Sequence, residues 1–205
     1  MQGFTYESSE PRSPLETYEW DNPWWEHTEN KTAPRVLYIG DSISAGTRPV
    51  LNTLADGRIL FDGFATSKAA DNPYFKEALE IYIKQCSRID AIVFNNGLHG
   101  WHLDNAAYEK GYDALLAFIK TLGVPVYAAL STNLPADEAR ASRVRERNAI
   151  AASLARKHGA GIIDLYAASL RCEGLYAPDN VHFSYEGYAV LAKEILGTLT
   201  PVLIG

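Results

Sequence analysis

The stretch RVLYIGDSIS, residues 35–44, determines the fold class predicted for this chain. Its first half, Arg35–Ile39, is a short and mostly apolar run of the kind that forms a buried strand, and Gly40-Asp41-Ser42 follows directly. Downstream, short apolar runs alternate with amphipathic stretches of helical period, a pattern typical of βα units and a mostly parallel sheet. The sequence therefore predicts an α/β protein, a three-layer α/β/α sandwich around a five-stranded parallel sheet.

The predicted elements follow from periodicity and from helix-capping residues. The strands are Arg35–Ile39, Arg58–Phe61, Ala91–Asn95, Val124–Leu130 and Gly161–Leu165. Four helices are predicted at Pro73 to about Cys86, Ala106–Leu122, Arg140–His158 and Tyr185–Leu199. In open sheets of this kind ligands bind beyond the carboxyl ends of the strands, so the chemistry is expected just after each strand.

Length and composition predict one domain with an N-terminal extension. The chain has 205 residues, which matches a single domain. Residues 1–34 are rich in Pro, Glu and Ser but hold Trp20, Trp24 and Trp25, so we expect this extension to pack on the domain formed by residues 35–205.

The charge and the hydropathy of the chain limit its partners and its location. The net charge of −6 offers no basic surface for nucleic acid or for anionic membranes. No run of about 18 apolar residues occurs. The chain is therefore expected to be soluble, either cytoplasmic or secreted after removal of a signal peptide.

Ser42 has the position of a nucleophile. It lies immediately beyond a buried strand, where the N-terminus of a helix can offer amide hydrogens to an oxyanion. The elbow G-x-S-x-G of α/β-hydrolases is not matched, because Ser44 stands at its second glycine. No glycine-rich phosphate loop follows any strand, so no organic cofactor is expected.

A second motif, Asp179-Asn180-Val181-His182, stands just before the last predicted helix. In a turn, three residues of separation can place the Asp179 carboxylate on Nδ1 of His182, which leaves Nε2 free to take a proton from a serine hydroxyl. Taken alone, the motif also suits an Asx-type turn. Its combination with a serine at a strand end favours a catalytic triad.

These two motifs resemble the first and last blocks of the SGNH hydrolases, also called the GDSL esterase/lipase superfamily. The resemblance runs from about residue 34 to the C-terminus and implies the flavodoxin-like sandwich of that superfamily. It also implies that Ser42 is the nucleophile, His182 the general base and Asp179 the residue that orients it. The same resemblance implies an oxyanion hole made of the Ser42 amide, a glycine amide after the second strand and an asparagine after the third.

The two remaining oxyanion donors are left open by the sequence. After the second strand, Gly63 is the available glycine, whereas loop length would instead place Ser67 at that position. After the third strand, the G-x-N-D block of the superfamily is replaced by Gly97-Leu98-His99-Gly100. Aligning the glycines places His99 at the asparagine, and a ring N–H can serve as donor; Asn96 is the competing candidate.

The form Asn-Asn-Gly-Leu-His resembles a bacterial branch of the superfamily associated with carbohydrate O-acetyl esterases. This resemblance predicts a serine esterase that removes a small acyl group, acetyl first, from carbohydrate hydroxyls. A short-chain lipase or thioesterase, an acyltransferase and a non-catalytic carbohydrate-binding protein are the alternatives. Aromatic faces stack on sugar rings, so Trp24, Trp25 and Trp101 are predicted to bind substrate.

The sequence contains two further clusters of polar side chains, one of His and Asp and one of Arg. His99, His102 and Asp104 do not form a recognisable zinc pattern, so no metal is predicted. Four arginines alternate with other residues in the helix predicted at Arg140–His158, namely Arg140, Arg143, Arg145 and Arg147. They are predicted to form a solvated face of that helix.

Overall fold

The computed structural model describes residue 15 and residues 18–205 and contains one six-stranded sheet covered by helices on both faces. The strands are β1 (Asp21–Trp24), β2 (Arg35–Gly40), β3 (Leu60–Thr66), β4 (Ala91–Phe94), β5 (Val126–Ala129) and β6 (Gly161–Ile163). The helices are α1 (Ser42–Ala55), α2 (Phe75–Ile83), α3 (Asn105–Lys120), α4 (Glu138–Lys157), α5 (Leu165–Leu170) and α6 (Tyr185–Leu203).

The sheet has the order β1-β3-β2-β4-β5-β6. Its last five strands are parallel and, numbered among themselves, have the order 2-1-3-4-5 of flavodoxin-like folds. The chain steps from β2 to β3 on one side and later to β4 on the other. The carboxyl end of β2 is therefore the switch point at which ligand sites of such sheets lie.

The strand count is the first difference from the sequence prediction. The segment β1 adds a sixth, antiparallel strand beside β3, with Asp21 paired to Thr66 and Trp24 to Gly63. Its four residues are exposed and include Pro23, so no alternation of apolar residues marks it. Proline is tolerated there because β1 is an edge strand.

The sheet separates two apolar clusters, which confirms the three-layer arrangement. Along β2, Val36 and Tyr38 pack in one cluster, whereas Leu37 and Ile39 pack in the other. Helices α1, α5 and α6 cover the first face, and α2 and α3 cover the second. The helix α4 contributes to both clusters, with Val144 on one side and Leu154 on the other.

The second predicted strand was placed too early in the chain. It was expected at Arg58–Phe61, but β3 runs from Leu60 to Thr66 and all its residues are buried. Asp62 and Gly63 predict the start of a loop, because both residue types are rare in strands. Pairing with β2 on one side and β1 on the other keeps them in the sheet.

Candidate active site

The turn between β2 and α1 presents Ser42 at the first position of a helix. Asp41 caps α1, since its carboxylate accepts a hydrogen bond from the amide of Ile43 at 2.9 Å. Gly40 is required for this turn, because a Cβ atom there would stand 2.8 Å from both side-chain atoms of Ser44. Ser42 itself is only partly buried, so its hydroxyl faces the open end of the sheet.

The loop before α6 brings His182 and Asp179 to the same place. Nε2 of His182 lies 2.8 Å from Oγ of Ser42, and Nδ1 lies 2.6 Å from Oδ2 of Asp179. With Nδ1–H donating to the carboxylate, Nε2 is the acceptor for the serine proton. The described structure thus joins Ser42, His182 and Asp179 in one hydrogen-bonded chain, although 140 positions separate Ser42 from His182.

The loop is held in shape by backbone bonds. The amide of Ala177 donates to the carbonyl of His182 at 2.8 Å, and Tyr176 bridges to Phe183 with their rings 4.5 Å apart. Between these contacts Asn180 adopts a left-handed conformation with φ of 56°. This tight turn returns the chain so that His182 can reach the carboxylate three residues before it.

The Asp179 carboxylate is stabilised in its charged form. Burial acts to raise its pKa, but the hydrogen bond from His182 and those from the amides of Val181 and His182 prevail and lower the pKa to about 2. A carboxylate that accepts several hydrogen bonds loses its proton more readily. Asp179 is therefore charged throughout the pH range in which an imidazole base works.

The two predicted donors after the second strand, Gly63 and Ser67, lie within and just after β3. Gly63 lies in the middle of β3, where a Cβ atom would stand 2.6 Å from the Arg48 side chain, and so it is not at the strand end. The Ser67 amide is at the strand end but donates to the carbonyl of Trp20 at 3.1 Å. These positions differ from the prediction because β3 extends to Thr66 and pairs with β1.

The two candidates after β4 differ in their surroundings. Asn96 is 2% exposed, and its Nδ2 donates one of its two N–H groups to the carbonyl of Lys68 at 2.9 Å. His99 is partly exposed, and its ring lies edge-on to that of Trp20 with 6.4 Å between the centroids. Of the two side chains, His99 is the one that remains at the accessible rim of the loop.

The predicted substrate-binding tryptophans lie in different places. Trp101 is on the loop after β4 and packs, partly buried, against the cluster that contains Ile43 of α1, with the guanidinium of Arg147 4.9 Å from its ring. Trp25 stacks on Tyr82 of α2 at 4.7 Å and packs against the core. It is therefore a packing residue.

Trp24 is exposed on the edge strand β1. It pairs with Gly63 in the middle of β3, and the Arg48 guanidinium of α1 lies 4.6 Å from its ring. The tryptophan that sequence reasoning passed over is Trp20, which contacts His99. The pairing of β1 with β3 brings it there, and no local pattern indicates that pairing.

The arginines of α4 do not form a solvated face. Arg147 is fully buried, and Arg143 donates to the carbonyls of Trp101 and Leu103. A signal was present, because Arg147 follows Val144 by three residues and precedes Ala151 by four, which places it on the buried stripe of the helix. Arg145 and Arg140 do behave as expected, in exposed ion pairs with Glu138 and Asp137.

Metal-ligand clusters and membrane-spanning helices are both absent from the described part of the chain. Among the described residues, no group of three or more His, Cys, Asp or Glu side chains is placed to hold a metal ion. Within the same part of the chain, none of the helices has the length and apolar character needed to cross a bilayer. His102 instead bonds to Asp71 at 2.9 Å.

No protein-family model and no curated protein sequence matches this chain. Solved structures do match it. A member of the lipolytic protein G-D-S-L family from Veillonella parvula has a TM-score of 0.67 at 18% identity, over 82% of this chain and 99% of its own. A lipase/acylhydrolase from Enterococcus faecalis has a TM-score of 0.66 at 18% identity, over 83% and 97%.

An acetyl xylan esterase, AlAXEase, is similar to the same degree. Its TM-score is 0.65 at 18% identity, over 80% of this chain and 99% of its own. These likenesses confirm the predicted α/β/α fold.

Proposed function

We propose that the protein is a serine esterase that removes a small acyl group, acetyl first, from carbohydrate hydroxyls. The observation that carries the proposal is the continuous hydrogen-bonded chain from Ser42 Oγ through His182 to Asp179 at the switch point of the sheet. A binding protein on the same fold has no need of a serine whose proton acceptor is already aligned and oriented. The geometry therefore favours catalysis by acyl transfer.

The mechanism follows from the placement of these atoms. Ser42 Oγ attacks the ester carbonyl carbon while its proton moves to Nε2 of His182, and the carbonyl oxygen becomes an oxyanion. The bond to the leaving alcohol then breaks, and His182 returns the proton to that alcohol. Water repeats the two steps on the acyl-enzyme, which releases the acid and restores Ser42.

The oxyanion is assigned to donors on two loops. The Ser42 amide is at the first turn of α1, where backbone N–H groups have no partner within the helix. His99 is the proposed side-chain donor, because Asn96 is buried, at 2% exposure, whereas His99 is partly exposed. Both loops follow adjacent strands, β2 and β4, so their ends lie beside each other.

The substrate class rests on aromatic side chains and on the relatives. Trp20 and Trp101 flank the loop that holds His99, and aromatic faces stack well on sugar rings. An acetyl xylan esterase is among the proteins with this fold, but so is a lipase/acylhydrolase. A preference for longer acyl chains would favour the lipase alternative.

The test compares Ser42→Ala with Ser44→Ala, a matched change two residues later. Ser44 is buried and donates to the Asp41 carbonyl, so its loss should leave kcat within about threefold. Ser42→Ala should lower hydrolysis of p-nitrophenyl acetate by about a thousandfold or more. Residual activity above a tenth would refute the nucleophile.

The substrate is then identified with the wild-type protein. Acetate release is measured on acetylated xylan, mannan, pectin and sialic acid, and p-nitrophenyl esters of acetate, butyrate and octanoate are compared. Faster turnover of octanoate than of acetate contradicts the carbohydrate assignment. Absence of hydrolysis on every ester would leave a carbohydrate-binding protein.

A further inference from the structure

Arg147 makes an unusual set of contacts for a charged side chain in the middle of a helix. It is fully buried, and its guanidinium donates to the carbonyls of Gly97 at 3.0 Å, His99 at 2.7 Å and Gly100 at 2.6 Å, with Leu103 at 3.5 Å. All four acceptors belong to the loop after β4. The planar guanidinium thus serves as the template on which this loop is folded.

Two aromatic rings fix the guanidinium itself. It lies 4.9 Å from the ring of Trp101 and 4.7 Å from that of Tyr108. Tyr108 also donates its hydroxyl hydrogen to the carbonyl of Asn96 at 2.6 Å. One ring belongs to the loop itself and the other to α3. Together they hold the guanidinium in place, so its N–H donors have fixed directions.

The carbonyl bonds also orient the other side of the loop. In a trans peptide the N–H points opposite to the C=O. The amides that follow Gly97, His99 and Gly100 therefore point away from Arg147. The backbone at residue 100 requires glycine, because φ is 68° there and a Cβ atom would stand 2.6 Å from the Cβ of Ala69.

We propose that Arg147 is a positioning residue that sets the place of His99 for oxyanion binding by holding the backbone of residues 97–100. The inference rests on the proposed function, since it assigns His99 as the donor. The G-x-N-D block is altered here to Gly97-Leu98-His99-Gly100. In this chain, a side chain from α4 supplies the rigidity of that loop through its carbonyl groups.

The variant Arg147→Lys tests the role of the guanidinium, because it keeps a buried positive charge and removes the spread donors. Lysine carries its three donors on one nitrogen and cannot reach carbonyls spread over residues 97, 99 and 100 together. We expect kcat on p-nitrophenyl acetate to fall by roughly tenfold or more while KM changes by less than about threefold, because a displaced donor affects the charged transition state most.

The matched control is Arg143→Lys, the same change one turn earlier in α4. Arg143 donates to the carbonyls of Trp101 and Leu103, which lie beyond the His99 segment. We expect it to lower the thermal midpoint without changing kcat by more than about twofold. Active sites are counted with a fluorophosphonate that labels Ser42, so that kcat is expressed per intact site.

A double-mutant cycle with His99→Ala shows whether Arg147 acts through His99. In the His99→Ala background, Arg147→Lys should cost less than about twofold in kcat, because the group that it positions is gone. Equal losses in both backgrounds overturn the proposal. An unchanged kcat per labelled site in Arg147→Lys, with only a lower thermal midpoint, overturns it as well.

The proposed function can fail separately. If the wild type shows no Ser42-dependent hydrolysis, the esterase assignment fails, and the role of Arg147 fails with it. If the wild type is active and His99→Ala retains full kcat, only the positioning role is overturned.

Discussion

Asp179 shows how one residue can be exposed and still be strongly tuned. Half of its side chain faces solvent, at 51% exposure, yet three hydrogen bonds converge on the carboxylate. Its pKa is lowered from the ordinary 3.8 to about 2, because these bonds outweigh the effect of burial. A lowered pKa in the folded state means that ionised Asp179 stabilises the fold above about pH 4, and that this contribution is lost as the pH falls through about 2.

Titration of the Asp179 carboxyl group tests whether His182 lowers its pKa. The ¹³C resonance of the Asp179 carboxyl group should titrate near pH 2 in the wild type. In His182→Ala the hydrogen bond from the imidazole is absent, so the pKa should rise toward 3.8. Asp179→Asn identifies the resonance. An equal midpoint in wild type and His182→Ala would show that the imidazole does not stabilise the carboxylate.

At the scale of elements, the contact between α1 and α6 brings the nucleophile to its base. Ser42 is the first residue of α1, and His182 lies three positions before α6 begins. The two helices pack closely at Gly46, where a Cβ atom would stand 2.2 Å from the ring of Tyr188. Burial at this contact raises the pKa of Tyr188 to about 12.

Glycine at position 46 is therefore required by packing. Gly46→Ala should destabilise the protein by about 1–3 kcal/mol, because overlap with Tyr188 outweighs the better helix propensity of alanine. It should also lower kcat by forcing α1 away from α6. Gly197→Ala is the matched control, since Gly197 is in α6 with no atom within 4 Å of a Cβ, and it should stabilise by about 0.5–1 kcal/mol.

Both changes are measured by chemical denaturation together with kcat on p-nitrophenyl acetate. If Gly46→Ala stabilised the protein as Gly197→Ala does, packing against Tyr188 would not constrain position 46.

At the scale of the whole molecule, a buried ion pair ties the segment before β2 to the sheet. Arg35 and Asp62 are 4% and 2% exposed and lie 2.7 Å apart. Asp62 also accepts from the amide of Glu26 at 2.8 Å, and Arg35 donates to the carbonyl of Glu26. The hydrogen bond to Asp62 raises the pKa of Arg35, so the guanidinium keeps its charge although it is buried.

Breaking this pair should cost more than removing it. Arg35→Met and Asp62→Leu should each lower the free energy of unfolding by about 3–5 kcal/mol, because each leaves a buried charge without its partner. The double variant should lose much less than the sum of the two. Urea denaturation measures all three, and additive losses would mean that the two side chains do not act as a pair.

The features that depend on neighbouring residues could be predicted from the amino-acid sequence. Gly40-Asp41-Ser42 after an apolar run, and Asp179 three positions before His182, carry their turn and cap chemistry within a few residues. The parallel sheet was predictable for the same reason, since strand and helix periodicity are local. These elements include the three residues that the structure joins in one hydrogen-bonded chain.

The residues around Ser42, His182 and Asp179 depend on contacts between distant segments, which the sequence did not predict. Gly63 stays in the sheet because β1, more than 35 positions earlier, pairs with it, and the same pairing brings Trp20 to His99. Arg147 is buried because four carbonyls of a distant loop satisfy its charge, where helical alternation of charges predicted exposure. Contacts between distant segments depend on how layers pack, and a local pattern contains no information about which segment arrives.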